Sequence, residues 1–83
     1  MHITYTDYAE ETILDRSLDK KYIEETLLKP DEIVEGKHGR KIAHKLYGSK
    51  LLRVIYEVDT KTYIVITAYF TTPQRYMHHE NQR

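Results

Sequence analysis

Apolar positions along the chain follow two different periods, and the switch between them falls near Pro30. Before it, Tyr5, Tyr8, Ala9, Thr12 and Ile13 recur at steps of three and four, one stripe of an amphipathic helix. Asp7, followed three residues later by Glu10, has the form of a capping box. A second helix starts at Asp19, where Leu18 before the cap and Ile23 four residues after it are spaced as a hydrophobic staple. Its stripe continues through Tyr22, Thr26 and Leu27. It stops at Pro30, because the residue before a proline avoids helical backbone angles. The two helices, about residues 6–16 and 19–29, are joined by a short link and should form a hairpin.

Beyond Pro30-Asp31 the period is two. The predicted strands run over about residues 33–36, 40–47, 51–58 and 62–70. In the second of them Ile42, His44 and Leu46 alternate with Lys41, Ala43, Lys45 and Tyr47. In the third, Leu52, Val54, Tyr56 and Val58 oppose Arg53, Ile55 and Glu57. The fourth is apolar on both sides, with Ile64, Ile66, Ala68 and Phe70 on one and Tyr63, Val65, Thr67 and Tyr69 on the other, which predicts a central strand. Gly36-Lys37-His38-Gly39, Gly48-Ser49-Lys50 and Asp59-Thr60-Lys61 are the turns. Hairpins cannot join parallel neighbours, so these strands should be antiparallel. The fold expected is a single α+β domain over residues 1–83: a helical hairpin packed on one face of a three- to four-stranded antiparallel sheet. His78-His79 and the residues after them have the composition of a frayed tail.

Composition narrows the class. The chain is 40% hydrophobic and 31% charged, which suits a folded domain. It has no cysteine, so disulfide and Cys-zinc scaffolds are excluded, and the expectation is a soluble, cytoplasmic protein with no membrane partner. The formal net charge of zero conceals a division: residues 1–35 hold ten acids and four bases, residues 36–83 three acids and nine bases. The basic half is suited to a polyanion.

That half also carries the candidate chemistry. If Leu52, Val54, Ile64 and Ile66 face the helices, then Arg53, Thr67 and Tyr69 face outward, with Lys41 and Lys45 beside them. Arg75 and Tyr76, just past the last strand, can fold over the same face. Cations neutralise phosphate, and tyrosine stacks on an unpaired base or supplies a hydrogen bond. Against this, tyrosines are good strand formers and many simply cover a sheet. RNA cleavage without a metal needs a group to take the 2′-hydroxyl proton, a cation for the phosphorane and an acid for the leaving oxygen. His44, the one histidine inside a predicted strand, is an acid–base candidate, although a strand histidine more often has a structural role. The His78-His79 pair lacks a third ligand at a metal-site spacing, and no cofactor motif is present, so no metal or cofactor is expected.

Tyr8-Ala9, Arg16, Leu27 with Pro30-Asp31-Glu32-Ile33-Val34, Gly39-Arg40-Lys41, Leu52 with Val54, and Val65-Ile66-Thr67-Ala68-Tyr69 together carry a resemblance. The chain resembles a family of small bacterial and archaeal domains similar to the RelE/ParE-type toxins of toxin–antitoxin pairs. Where that family commonly has His-Ala, this chain has Tyr8-Ala9. The resemblance implies the helix-hairpin-plus-sheet fold. It also implies an endoribonuclease toxin acting on mRNA, often at the ribosome, and neutralised by an antitoxin protein. Its site would draw on Arg53, Arg75 and Tyr76, with Thr67 and Tyr69 on the same face and Arg40, Lys41 and Lys45 holding RNA. Tyr8, Arg16 and His44 are additional candidates. The competing readings are a non-catalytic protein- or RNA-binding module that docks a peptide at a sheet edge, and a homodimer with no ligand.

Overall fold

A computed structural model describes residues 2–76. The elements are β1 (His2–Tyr5), α1 (Asp7–Asp15), α2 (Lys20–Leu28), β2 (Glu32–Glu35), a 3-10 turn (Lys37–Gly39), β3 (Lys41–Tyr47), β4 (Lys50–Asp59), β5 (Thr62–Thr71) and a short helical turn, α3 (Pro73–Tyr76). All five strands belong to one sheet in the order β1-β5-β4-β3-β2. The expectation of a three- to four-stranded antiparallel sheet is therefore corrected. The sheet has five strands and is mixed, because β1 pairs with β5 in parallel, His2 opposite Thr62 through Tyr5 opposite Val65. The strands joined by tight turns, β2 to β5, are antiparallel. The parallel pair arises because β1 reaches its neighbour only through the rest of the chain, where no hairpin constrains direction. A strand of four residues with two inward side chains, Ile3 and Tyr5, is too short to announce itself by alternation.

Local chemistry explains where the helices begin and end. The cap of α1 is Thr6 rather than Asp7: its hydroxyl accepts from the Ala9 amide at 3.0 Å. Thr6 also donates its own amide to the Val65 carbonyl at 3.1 Å, so one residue ends β1 and starts α1. The helix stops where Ser17 turns to φ 52° and the Leu18 amide reaches back to the Ile13 carbonyl at 2.9 Å. This leaves Arg16 at the C-cap. Asp19 caps α2 through the Lys21 amide at 2.9 Å.

Both helices lie on one face of the sheet. Ala9 and Ile13 of α1 and Ile23 and Leu27 of α2 share a core with Ala43, Leu52, Val54, Tyr56, Val65 and Ala68. The last two reveal a second correction. Ile55 pairs with Thr67 but Tyr56 pairs with Val65, so Ile66 is an extra residue in a β-bulge. Before the bulge Tyr63 and Val65 face the helices, and after it Ala68 and Phe70 do. The expected alternation, with Ile64 and Ile66 on the core side, is thus broken within the strand. In a segment apolar at nearly every position, nothing in the pattern marks such a slip.

Candidate functional site

The face away from the helices carries a transverse row of polar side chains, one from each of four strands. Glu32 of β2 is the register partner of His44 of β3, His44 that of Arg53 of β4, and Arg53 that of Tyr69 of β5. Register partners point to the same side of a sheet with Cβ atoms about 4.5–5.5 Å apart, so the four groups form a continuous line. The Arg53 guanidinium lies 5.7 Å from the Tyr69 ring centroid. Arg16 completes the row from outside the sheet. Beyond Val65 the edge of β5 is no longer covered by β1, and Arg16 donates from Nη1 to the Ala68 carbonyl at 3.2 Å. Its guanidinium stands 5.5 Å from the Tyr69 centroid. Tyr69 therefore has two cations within cation–π distance.

At the other end of the row, His44 Nδ1 and Glu32 Oε2 are 3.0 Å apart. His44 is only 1% exposed, whereas Glu32, Arg53 and Tyr69 are half-buried. The carboxylate sets the orientation of an imidazole that does not itself reach solvent. Thr67 sits on the same face as Tyr69, one pleat along and opposite Ile55. Of the residues singled out in the sequence, Arg53, Thr67, Tyr69, His44 and Arg16 are thus brought together. Glu32 was missed as a site residue. Its position after Pro30-Asp31 reads as a strand start, and only the β2–β3 register places it against His44.

Other sequence-predicted residues go elsewhere. Lys41 and Lys45 lie on the helix side of the sheet, opposite to the expected outer face, being register partners of Tyr56 and Leu52. Lys41 Nζ pairs with Glu35 at 2.8 Å, and Lys45 Nζ donates to the Lys29 carbonyl at 2.8 Å beside Asp31. Their aliphatic stems line the rim of the core while the ammonium groups stay at the surface. Arg40 is bound to Glu57 at 3.1 Å, near the far end of β4. Tyr8 is 60% exposed on α1. Arg75 and Tyr76 belong to α3, but their side chains, like His78-His79, lie outside the described ones. Among the described residues no three His, Cys, Asp or Glu side chains gather as metal ligands.

The helix side has a different electrostatic character. Burial, followed by the Glu24 and Glu10 carboxylates, pushes the Tyr5 phenol up to about 12. Burial also raises Tyr56 and Tyr47, and the Tyr47 hydroxyl donates to Glu25 at 2.7 Å. Burial holds these phenols toward the neutral form, with nearby carboxylates adding to it at Tyr5 and Tyr47. No described helix is long and apolar enough to cross a membrane.

A family model described as a domain of unknown function (DUF4258) matches residues 5–70. No curated protein and no solved structure matches the chain. The matched span starts at the end of β1 and stops one residue short of the end of β5, so it contains every member of the row.

Proposed function

We propose, starting from a chain that belongs to the DUF4258 family of domains of unknown function, that the outer face acts on single-stranded RNA as a metal-independent endoribonuclease of the RelE type. The observation that carries this reading is the row Glu32–His44–Arg53–Tyr69 with Arg16 at its end. In the reaction the substrate's 2′-oxygen attacks the adjacent phosphorus and loses its proton, while the bond to the 5′-oxygen breaks and that oxygen gains one. The products are a 2′,3′-cyclic phosphate and a free 5′-hydroxyl. Arg53 neutralises the charge that grows on the phosphorane, and Arg16 supports it from the sheet edge. Tyr69 is the phenol placed to carry a proton or to stack on the flanking base. Arg75 and Tyr76 follow closely in sequence and are assigned supporting roles. The Glu32–His44 pair is a positioning element that fixes the middle of the row. A neutralising antitoxin protein belongs to the same reading.

The test is incubation of a single-stranded RNA with the protein in the presence of a metal chelator. Cleavage should give the two ends named above, and Arg53→Ala should slow it on the order of a hundredfold or more. If Arg53→Ala combined with Arg75→Ala leaves the rate unchanged in a folded protein, the assignment fails. One observation favours a second reading, RNA binding without cleavage: the only imidazole in the row is buried. In that case RNA is retained intact, and Arg53→Ala weakens its binding.

A further inference from the structure

On the helix side, beside the first turn of α2, three aromatic rings from three elements line an open groove of about 360 Å³ with Lys50. Tyr22 of α2 meets Tyr47 of β3 edge to face, with centroids 5.1 Å apart and planes at 73°. Tyr47 meets Phe70 of β5 at 6.1 Å and 82°. Tyr47 and Lys50 are register partners across the Gly48-Ser49 turn, so the ammonium projects on the same side as the rings. The volume falls at the lower end of the range of about 300–1,000 Å³ found for small-ligand sites.

The chemistry of this lining is specific. Lys20, Lys41 and Lys45 are each engaged by a carboxylate, whereas Lys50 is in no ion pair among the described residues. Tyr22 and Phe70 are 38% and 39% exposed although their rings form one cluster with Tyr47. Tyr47 is anchored, its hydroxyl donating to Glu25 at 2.7 Å, which fixes the back wall. A fixed aromatic wall with a cation at its mouth that is in no ion pair among the described residues complements a flat ring joined to an anion.

We propose that this groove binds a nucleotide, the base lying against the Tyr22, Tyr47 and Phe70 rings and the phosphate meeting the Lys50 ammonium. Aromatic side chains accept any base face, and lysine meets phosphate as a point charge. The groove lies on the opposite side of the sheet from the Arg53 row, and the proposal stands whether or not that row cleaves RNA.

The probe is adenosine 5′-monophosphate, titrated into the full chain and followed by NMR at the ring protons of Tyr22, Tyr47 and Phe70 and at the Lys50 side chain. The four groups should shift together and saturate. Adenosine and inorganic phosphate, titrated separately, should each bind more weakly than the monophosphate. Lys50→Ala should weaken the monophosphate about two- to fivefold, the range of an exposed ion pair, and bring it level with adenosine. Phe70→Leu should weaken both ligands that carry a base. Arg53→Ala should leave this titration unchanged, which separates the groove from the row. Absence of shifts at these groups overturns the proposal. So does a monophosphate affinity indifferent to Lys50→Ala, or one matched by inorganic phosphate alone.

Discussion

The two faces of one sheet are built from the same three long strands and obey different rules. On the helix side, Leu52, Val54, Val65 and Ala68 are sealed under α1 and α2, and the polar groups that remain are tyrosines pushed toward neutrality or lysines tied to carboxylates at the rim. On the other side these strands, with β2 beside them, carry a line of glutamate, histidine, arginine and tyrosine, each opposite the next. The first face is organised by volume, whereas the second sets a line of charged and polar groups beside the buried Leu51. Folding free energy should therefore depend most on the first, and the proposed RNA chemistry on the second, and substitutions can be chosen to separate them.

The largest stability effect should come from the sealed face. Leu52→Ala removes a side chain with no exposure from the centre of the core and should cost about 2–5 kcal/mol, read as a lowered urea midpoint. A loss below about 1 kcal/mol would mean that the helices do not bury this strand. Next comes Glu32→Ala, which strips the carboxylate from a buried imidazole. Removing one hydrogen-bond partner of a buried polar group costs about 1–3 kcal/mol, so Glu32→Ala should destabilise more than the surface pair variant Glu35→Ala, although both residues lie on β2. Equal losses would remove the special standing of the row's acidic end. Thr6→Ala, which deletes the α1 cap, should cost about 1 kcal/mol, whereas Asp7→Ala should cost less.

A smaller effect tests the tyrosines by pH. Tyr5 ionises near 12 in the folded chain, and its ordinary value is near 10. The folded state holds this proton more tightly than the unfolded state does, so the stability it contributes is intact below about 10 and is lost as pH rises toward 12. Phenolate absorbance should lose its component near 12 in Tyr5→Phe, and that variant should be less sensitive to alkali. A titration in which every tyrosine ionises together near 10 would contradict the burial of Tyr5.

How much of this was legible in the sequence follows from the physics of each element. Helix stripes and strand alternation are properties of single segments, so α1, α2 and the strands from β2 to β5 could be read directly, within a residue or two at their ends. Two features were not local. β1 has only Ile3 and Tyr5 to mark it, and its parallel pairing with β5 depends on where the chain returns. The bulge at Ile66 is a property of the β4–β5 pairing, invisible in a strand that is apolar on both faces. The site shows the same split. Arg53, Thr67 and Tyr69 were placed together, although the facing residues used to place them included Ile64 and Ile66, which do not face the helices. Lys41 and Lys45 were misplaced. Their alternation with Ile42 and His44 was clear, but an Ala43 flanked by lysines does not look like the buried side of a strand. Glu32 could be recognised only through its register with His44.

The most direct test of the division between faces is the salt dependence of single-stranded RNA binding, measured for the wild type, Arg53→Ala and Lys45→Ala. Each phosphate-contacting cation adds about 0.7 to the slope of log affinity against log salt for a single strand. The expected result is a slope shallower by about that amount in Arg53→Ala and unchanged in Lys45→Ala, with both proteins folded. A slope unaffected by Arg53→Ala, or reduced as much by Lys45→Ala, would contradict the proposed assignment of RNA chemistry to the face away from the helices.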